Sequence, residues 1–553
     1  MTGPRSKIPP KRLAPPSRHA REDRGALAVV GASAKAAAAK VQPPLVVATT
    51  LPPPWRRARA AWLRKRAGAT RWRWAENFGV LEVFIVVQLL SFGVLLLPGT
   101  QPIRFFVRAA PYLMSGALLL LPSARLAKGP AGNAWQHPAA PWLLGALVVL
   151  GLNLLHPSTP LAAGVAQLIF QICIAAPLFW ATRCTVNAGR LERLLWLLLF
   201  CYGLSAVIGA LQVFYPDIFL PRDFSALLSE DYLGSLSYEG TAGQTIFRPP
   251  GLSDVPGGAA TGGVAAALVA LIFLNRPRTR WFVRLACAAV AAVGLFVLYL
   301  CQVRSFFLML LVAILGAACL GLRRGRTADS ARLLIGCAVV VGAAFVWAVS
   351  IGGEEVSERF LGLAEGGAGG MVENFQENRG GFFAATFEDY LWQYPLGAGP
   401  GRWGMMNLYF GNPDAENNLY AEVQLTGWLY DGGVPMWIFY GGALLIAMGS
   451  TYAIAARHPD EKIVRSAQIV FCLNLLVVGQ TFAGPVFNNQ LGILFWLLTA
   501  VLHAAARNTG NPAATTPGAQ PRRVPDWIAR IRVARRRLVP RVPLAIPAAG
   551  SRR

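Results

Sequence analysis

Long apolar runs alternate with short polar connections along most of the chain. Apolar runs occur at 78–98, 103–122, 139–155, 161–182, 192–214, 256–275, 281–301, 305–322, 331–351, 433–456, 463–484 and 487–506. A helix needs about 20 such residues to cross the hydrocarbon core. The pattern therefore predicts twelve membrane-spanning helices. The runs are continuous rather than alternating with period two, which argues against a strand-built barrel. The predicted fold class is all-α: a polytopic membrane helical bundle with a large external loop between spans 9 and 10. Several runs are interrupted by Gly or Pro, which a bundle tolerates because neighbouring helices satisfy the freed backbone groups.

The distribution of Lys and Arg orients these spans. With the N-terminus inside, the even-numbered connections fall on the cytoplasmic side. They carry Arg125 and Lys128; Arg183 and Arg190; Arg276, Arg278 and Arg280; Arg323, Arg324 and Arg326; and Arg457 and Lys462. The external connections are short except for 215–255 and 352–432. Loop 215–255 carries Asp217, Glu230, Asp231, Glu239 and Asp254, and loop 352–432 is Gly-rich and acidic. The expected organisation is a basic tail over 1–77, a membrane domain over 78–506 and a second basic tail over 507–553, with both termini cytoplasmic.

Composition adds that 54% of the 553 residues are hydrophobic and 14% charged, with a mean hydropathy of +0.44. That is too apolar for an ordinary soluble domain. The net charge of +25 is concentrated, with roughly half of the Lys and Arg in the two tails. Such a charge suits nucleic acid, but basic tails beside membrane spans are better read as cytoplasmic segments that touch anionic lipid. The first 77 residues are too long and polar for a signal peptide, and their Pro- and Ala-rich composition predicts disorder. Within them, 55–74 predicts a basic interfacial helix. The eight cysteines lie in or beside apolar segments without metal or CxxC spacing, and read as small residues of the membrane core.

Among the arginines on the external side, four lie at or near the ends of apolar runs, and so break the orientation rule close to the membrane face: Arg104, Arg108, Arg248 and Arg304. Arg304 sits inside the apolar run LYLCQVRSFFLMLLVAIL, at the short turn between spans 7 and 8. A guanidinium in lipid costs a few kcal/mol, less at the end of a span. Arg104 and Arg108 are four residues apart and share one helix face. Each of these arginines has a plain reading as a side chain snorkelling to the headgroups. Each also suits a phosphate or pyrophosphate through bidentate, always-charged contacts. In loop 352–432, Phe383, Phe387, Tyr390 and Leu391 predict a short amphipathic helix lying on the bundle, and PLGAGPGRWG reads as a turn with exposed backbone amides. Glu82, an acid within span 1, reads as a helix-packing hydrogen-bond partner. Of the histidines His19, His137, His156, His458 and His503, only His156 falls outside, which argues against a histidine metal site or a Ser-His-Asp triad.

Four segments resemble the O-antigen ligase and O-antigen polymerase superfamily of membrane glycosyltransferases. FRPPGLSDVPGGAATGG (247–263) is similar to its Arg-Gly-Pro segment leading into a small-residue span, and QVRSFFLMLLVAIL to its Arg-Ser motif opening a span. YPLGAGPGRWG (394–404) is similar to its P-[LIF]-x-G-x-G motif, and ENNLYAEVQLTGWLYDGGVPMWIF (416–439) to its HNxYL segment before the following span. The motifs follow the family's order across about residues 78–506. The resemblance implies a metal-independent, inverting GT-C-type transferase that needs no cofactor. It would take a glycan from undecaprenyl pyrophosphate at the outer face of the bacterial inner membrane and pass it to a glycan or lipid acceptor. It also implies membrane lipids and chain-length or export proteins as partners.

Carried over by motif, Arg248 and Arg304 are expected to hold the pyrophosphate; Arg402, as a phosphate or sugar contact, and Asn417, Arg108 and Asp254 are further expected substrate-binding residues beside them. The chain departs from the family where the motif's His is replaced by Glu416. A glutamate can take the acceptor's proton, but it repels phosphate. Glu416 is thus the expected base, with Asp254 and Glu422 as alternatives. The missing His favours a surface-polysaccharide or O-antigen polymerase over a ligase acting on lipid A-core or protein. The competing classes are a secondary transporter, which would place ionisable groups in a midplane cavity, and an assembly scaffold without catalysis.

Overall fold

The structure, a computed structural model, describes residues 79–97, 99–121, 137–220, 237–239, 245–253, 257–276, 279–365, 376–412 and 418–509. The first tail, with the predicted interfacial helix at 55–74, and the second tail beyond Thr509 lie outside them, and residues 507–509 of that second tail continue the last helix. The described chain is mostly helical, with one short ribbon as its strands and irregular stretches such as 248–253 and 394–403 between helices. A helix occupies each of the twelve apolar segments: α1 Val80–Leu90, α2 Arg104–Leu120, α3 Ala140–Leu152, α4 Leu161–Trp180, α5 Ala188–Phe214, α6 Gly258–Leu274, α7 Trp281–Cys301, α8 Arg304–Arg323, α9 Thr327–Gly352, α10 Gln424–Arg457, α11 Glu461–Gly479 and α12 Gln490–Thr509. Eight of the helical segments are long and apolar enough to cross a membrane, namely those built on α4, α5 and α7 to α12. The others are shorter. The ribbon pairs Ser237–Glu239 with Thr245–Phe247 antiparallel, Ser237 opposite Phe247.

Helix α6 is the axis of the bundle. Nearly all of its side chains are buried, from Ala259 to Phe273. Its small residues make this possible, because helices without a hydrophobic drive between them associate by close backbone contact. A Cβ on Gly263 would lie 2.4 Å from the Gly294 carbonyl oxygen of α7, and one on Gly294 would lie 2.5 Å from the Gly263 oxygen. On the other face, Gly262 and Ala259 pack against Ser205 and Gly209 of α5.

One end of the bundle is laced by charge. Arg190 at the start of α5 donates from Nε and Nη2 to the two oxygens of Glu82, at 2.9 and 2.7 Å. Glu82 also accepts from the Gly79 amide at 3.0 Å and so closes the first turn of α1. The acid of span 1 is thus one half of a bidentate ion pair. At the same end Arg276 pairs with Glu192, Glu461 receives Arg324 and Arg326, and Asn508 reaches the Val186 carbonyl. These are the helix ends where the even-numbered connections fall.

Cysteine placement needs one correction. Cys173, Cys184, Cys201, Cys287, Cys301, Cys337 and Cys472 are buried, but Cys319 is exposed on an uncovered face of α8.

Candidate functional site

The opposite end of the bundle holds the segments singled out by the sequence. Pro249 and Pro250 keep the chain after Arg248 extended, and Gly251 then turns at φ +64°. A Cβ there would meet Ser205 Oγ at 2.8 Å, so the close approach to α5 requires glycine. Gln212, fully buried on α5, accepts from the Gly251 amide at 2.8 Å and donates to its carbonyl at 3.0 Å. Ser205 Oγ accepts from the Leu252 amide at 3.1 Å. Two polar side chains of α5 thereby pin the Arg248 segment, and the Gly257 amide closes it on the Arg248 carbonyl.

The Arg304 turn packs on that same segment. Helix α7 ends at Gln302, which adopts a left-handed conformation (φ 54°) and is buried, and α8 opens at Arg304. Cys301 Sγ lies 3.8 Å from the Pro249 carbonyl oxygen. A Cβ on Gly257 would touch Val303 and Cys301. Ser305 donates to Gln480 Oε1 at 3.2 Å and anchors the start of α8 to the end of the α11 segment. The segments bearing Arg248 and Arg304 therefore abut, and both arginines are half-buried.

The other side of the Arg248 segment faces a cleft of about 560 Å³ between α1, α2, α4, α5, α6 and the short helix Gly404–Phe410. Leu252, Ser253 and Gly258 form one wall, and Phe105, Ile169, Phe170, Met405 and Phe410 make the rest largely apolar. Arg108 lines it and donates to Tyr409 OH at 2.9 Å. The snorkelling reading fails for Arg104, which is 7% exposed.

The glycine turn differs from its expectation. Its residues 397–401 are buried, not exposed. Gly397, Gly399, Gly401 and Gly404 all have positive φ. A Cβ on Gly401 would lie 2.3 Å from the Ala163 carbonyl carbon, and one on Gly399 would lie 2.3 Å from Thr159 Oγ1. The turn needs glycine to seat against the start of α4, and its amides serve packing: the Ala398 amide donates to the Tyr430 carbonyl at 2.8 Å. Arg402 closes the turn by donating to the Ala398 carbonyl at 3.1 Å, and it does not line the cleft.

The amphipathic helix of the long connection is present as the helical stretch 376–393. Phe383 packs on Phe482, Phe387 on Trp437 and Tyr390 on Tyr430, so it lies on α10 and the end of the α11 segment. Glu422 is ion-paired with Arg379 and is thereby less suited to act as a base. Burial lowers the pKa of Arg379 from its usual value, with Tyr420 opposing, yet a guanidinium stays charged at neutral pH. Glu416, Asn417 and Asp254 lie outside the described residues.

Asp431 escaped the sequence reading. It is fully buried about two turns inside α10, where Oδ1 accepts from Trp403 Nε1 and Oδ2 from Gln167 Nε2, both at 2.9 Å. It ties the glycine turn, α4 and α10 together just before the break of α10 at Gly433 (φ 65°). The signal was an acid inside an apolar stretch next to Gly-Gly-x-Pro. Among the described residues, no group of three His, Cys, Asp or Glu side chains is placed to hold a metal. Among protein-family models and curated proteins, none matches the chain.

Proposed function

We propose that the chain is an inner-membrane glycosyltransferase of twelve crossings, with both termini cytoplasmic. In this reading it polymerises or transfers glycans carried on undecaprenyl pyrophosphate at the outer face. One juxtaposition carries the reading: the Arg248 segment is the common wall between an apolar cleft and the Arg304 turn. A polyprenyl pyrophosphate is an apolar chain with a dianionic or trianionic head. Such a donor would lay part of its chain along the cleft beside Arg108, with its phosphates reaching past the cleft wall toward Arg248 and Arg304, which do not themselves line it.

Attack by an acceptor hydroxyl on the anomeric carbon forms the new glycosidic bond and breaks the carbon–oxygen bond to pyrophosphate. The arginines stabilise the charge gathering on the leaving oxygen, most effectively where water is excluded. Glu416 takes the proton of the hydroxyl, and the configuration at the anomeric carbon inverts. With glutamate in place of the motif's histidine, polymerisation is favoured over ligation to lipid A-core or protein.

Purified chain mixed with undecaprenyl-pyrophosphate oligosaccharide tests this. A lengthened lipid-linked product supports polymerisation, a product only with an added acceptor supports ligation, and consumption of no donor refutes transfer. One observation favours a transporter: α10 is broken beside the buried Asp431, as helices at transport sites often are. Flux of lipid-linked or free glycan across proteoliposomes, without new glycosidic bonds, is the outcome that reading requires.

A further inference from the structure

At the bundle end opposite the Arg304 turn, a second cavity of about 280 Å³ opens between α6, α7 and α9. Among the described residues, Arg276, Arg284 and Arg332 line it and no carboxylate does. We propose that this cavity binds the phosphodiester headgroup of an anionic phospholipid, with an acyl chain leaving along Leu271, Leu274 and Leu333.

Three observations carry this. The first is charge. Arg276 is paired with Glu192, yet its Nε is buried with no hydrogen-bond partner among the described residues. Arg284 donates to the Arg276 carbonyl at 3.3 Å, and Arg332 lies 3.9 Å from Asp329. Two nearby carboxylates thus face three guanidinium groups, and a phosphate would balance the excess through charge-assisted hydrogen bonds. The second is depth. Trp281 and Phe282, at the first turn of α7, are 75% and 49% exposed, as expected where aromatic side chains sit at headgroup level. The third is access. Ile335 and Val339 on α9 are exposed, so the cavity borders an uncovered apolar face along which an acyl chain can run. A basic pocket between helices at headgroup depth is the arrangement that anionic lipid heads take up.

The test uses the purified full chain in neutral detergent, with melting temperature as the readout. Phosphatidylglycerol should raise the melting temperature by at least about 3 °C through linkage. Phosphatidylcholine and inorganic phosphate at equal concentration should not. The double variant Arg284→Gln/Arg332→Gln, altered at solvent-accessible side chains, should lose most of that rise, while Arg457→Gln at the same bundle end should keep it. A double variant that responds like the parent overturns the site in favour of general surface charge. An equal rise with phosphatidylcholine overturns headgroup recognition, and an equal rise with inorganic phosphate overturns the lipid in favour of a free anion.

Discussion

Trp403 Nε1 donates to Asp431 Oδ1 at 2.9 Å, across the join between the glycine turn and the buried start of α10. With Gln167 on the other carboxylate oxygen, this contact fixes how the long connection sits on α4. Asp431→Leu removes both acceptors and strands two donors, each at a cost of about 1–3 kcal/mol. We expect a large fall in melting temperature, with glycan transfer lost with it. Asp431→Asn, which keeps one acceptor, should fall between. A fully stable Asp431→Leu protein would show that the clamp holds nothing.

The crossing of α6 and α7 gives a second prediction. Gly263→Val places a side chain where a Cβ alone would lie 2.4 Å from the Gly294 carbonyl oxygen. Backbone on both sides cannot yield cheaply, so the folded yield in detergent should collapse. Gly342→Ala on α9, where a Cβ meets nothing within 4 Å, should be neutral or slightly stabilising. Equal tolerance of both changes would contradict the close crossing.

The Glu82–Arg190 pair is largely shielded, with 8% and 19% of the two side chains exposed. Removing one partner strands a charge and should destabilise by about 3 kcal/mol. The Glu82→Gln/Arg190→Gln double variant should recover part of that, and a double-mutant cycle measures the coupling. Losses that simply add would mean that the two groups do not interact.

His137 supplies a pH dependence. Its Nδ1 accepts from the Ala139 amide at 3.1 Å, so Nε2 carries the proton and faces Ser450 Oγ at 3.1 Å. Burial, assisted by His503, pushes its pKa down to about 3. The unfolded chain binds a proton near pH 6.5, which the folded chain refuses. Stability from this group is therefore complete above about pH 6.5 and is lost progressively as pH falls toward 3. Melting temperature should drop between pH ~7.5 and ~5, and His137→Gln should flatten the curve. An unchanged slope in the variant would assign the effect elsewhere.

Much of the architecture was legible because membrane helices declare themselves by length and hydropathy. The start of one predicted span at Gly433 falls on the break of α10, where glycine geometry ends the regular helix. Helical turns from Gln424 extend beyond it because they are covered by Trp403 and Phe487, contacts that no local pattern reveals. The motif resemblance implies that Arg248 and Arg304 meet at one pyrophosphate, but no local pattern in either segment shows that the two abut. The contacts that place them are long-range: Gln212, 39 residues before Gly251, holds the Arg248 segment to α5, and Cys301, 52 residues after Pro249, meets it from the Arg304 turn. In sequence, positive-φ glycines serve amide exposure and tight packing equally well, and only the approach of α4 decides that the glycine turn is buried. Asp431 was hidden by its motif, where it reads as one polar residue in a loop-to-helix boundary.

The central claim is that Arg304 holds the pyrophosphate of a lipid-linked glycan during transfer. Its most direct measurement compares purified parent protein, Arg304→Ala and Arg304→Lys, at matched melting temperatures, for extension of undecaprenyl-pyrophosphate oligosaccharide. Parent protein should lengthen the lipid-linked glycan, Arg304→Ala should be slower by about 100-fold or more, and Arg304→Lys should recover only part because it keeps the charge without the planar fork. Parent-like extension by a stably folded Arg304→Ala protein would contradict the account.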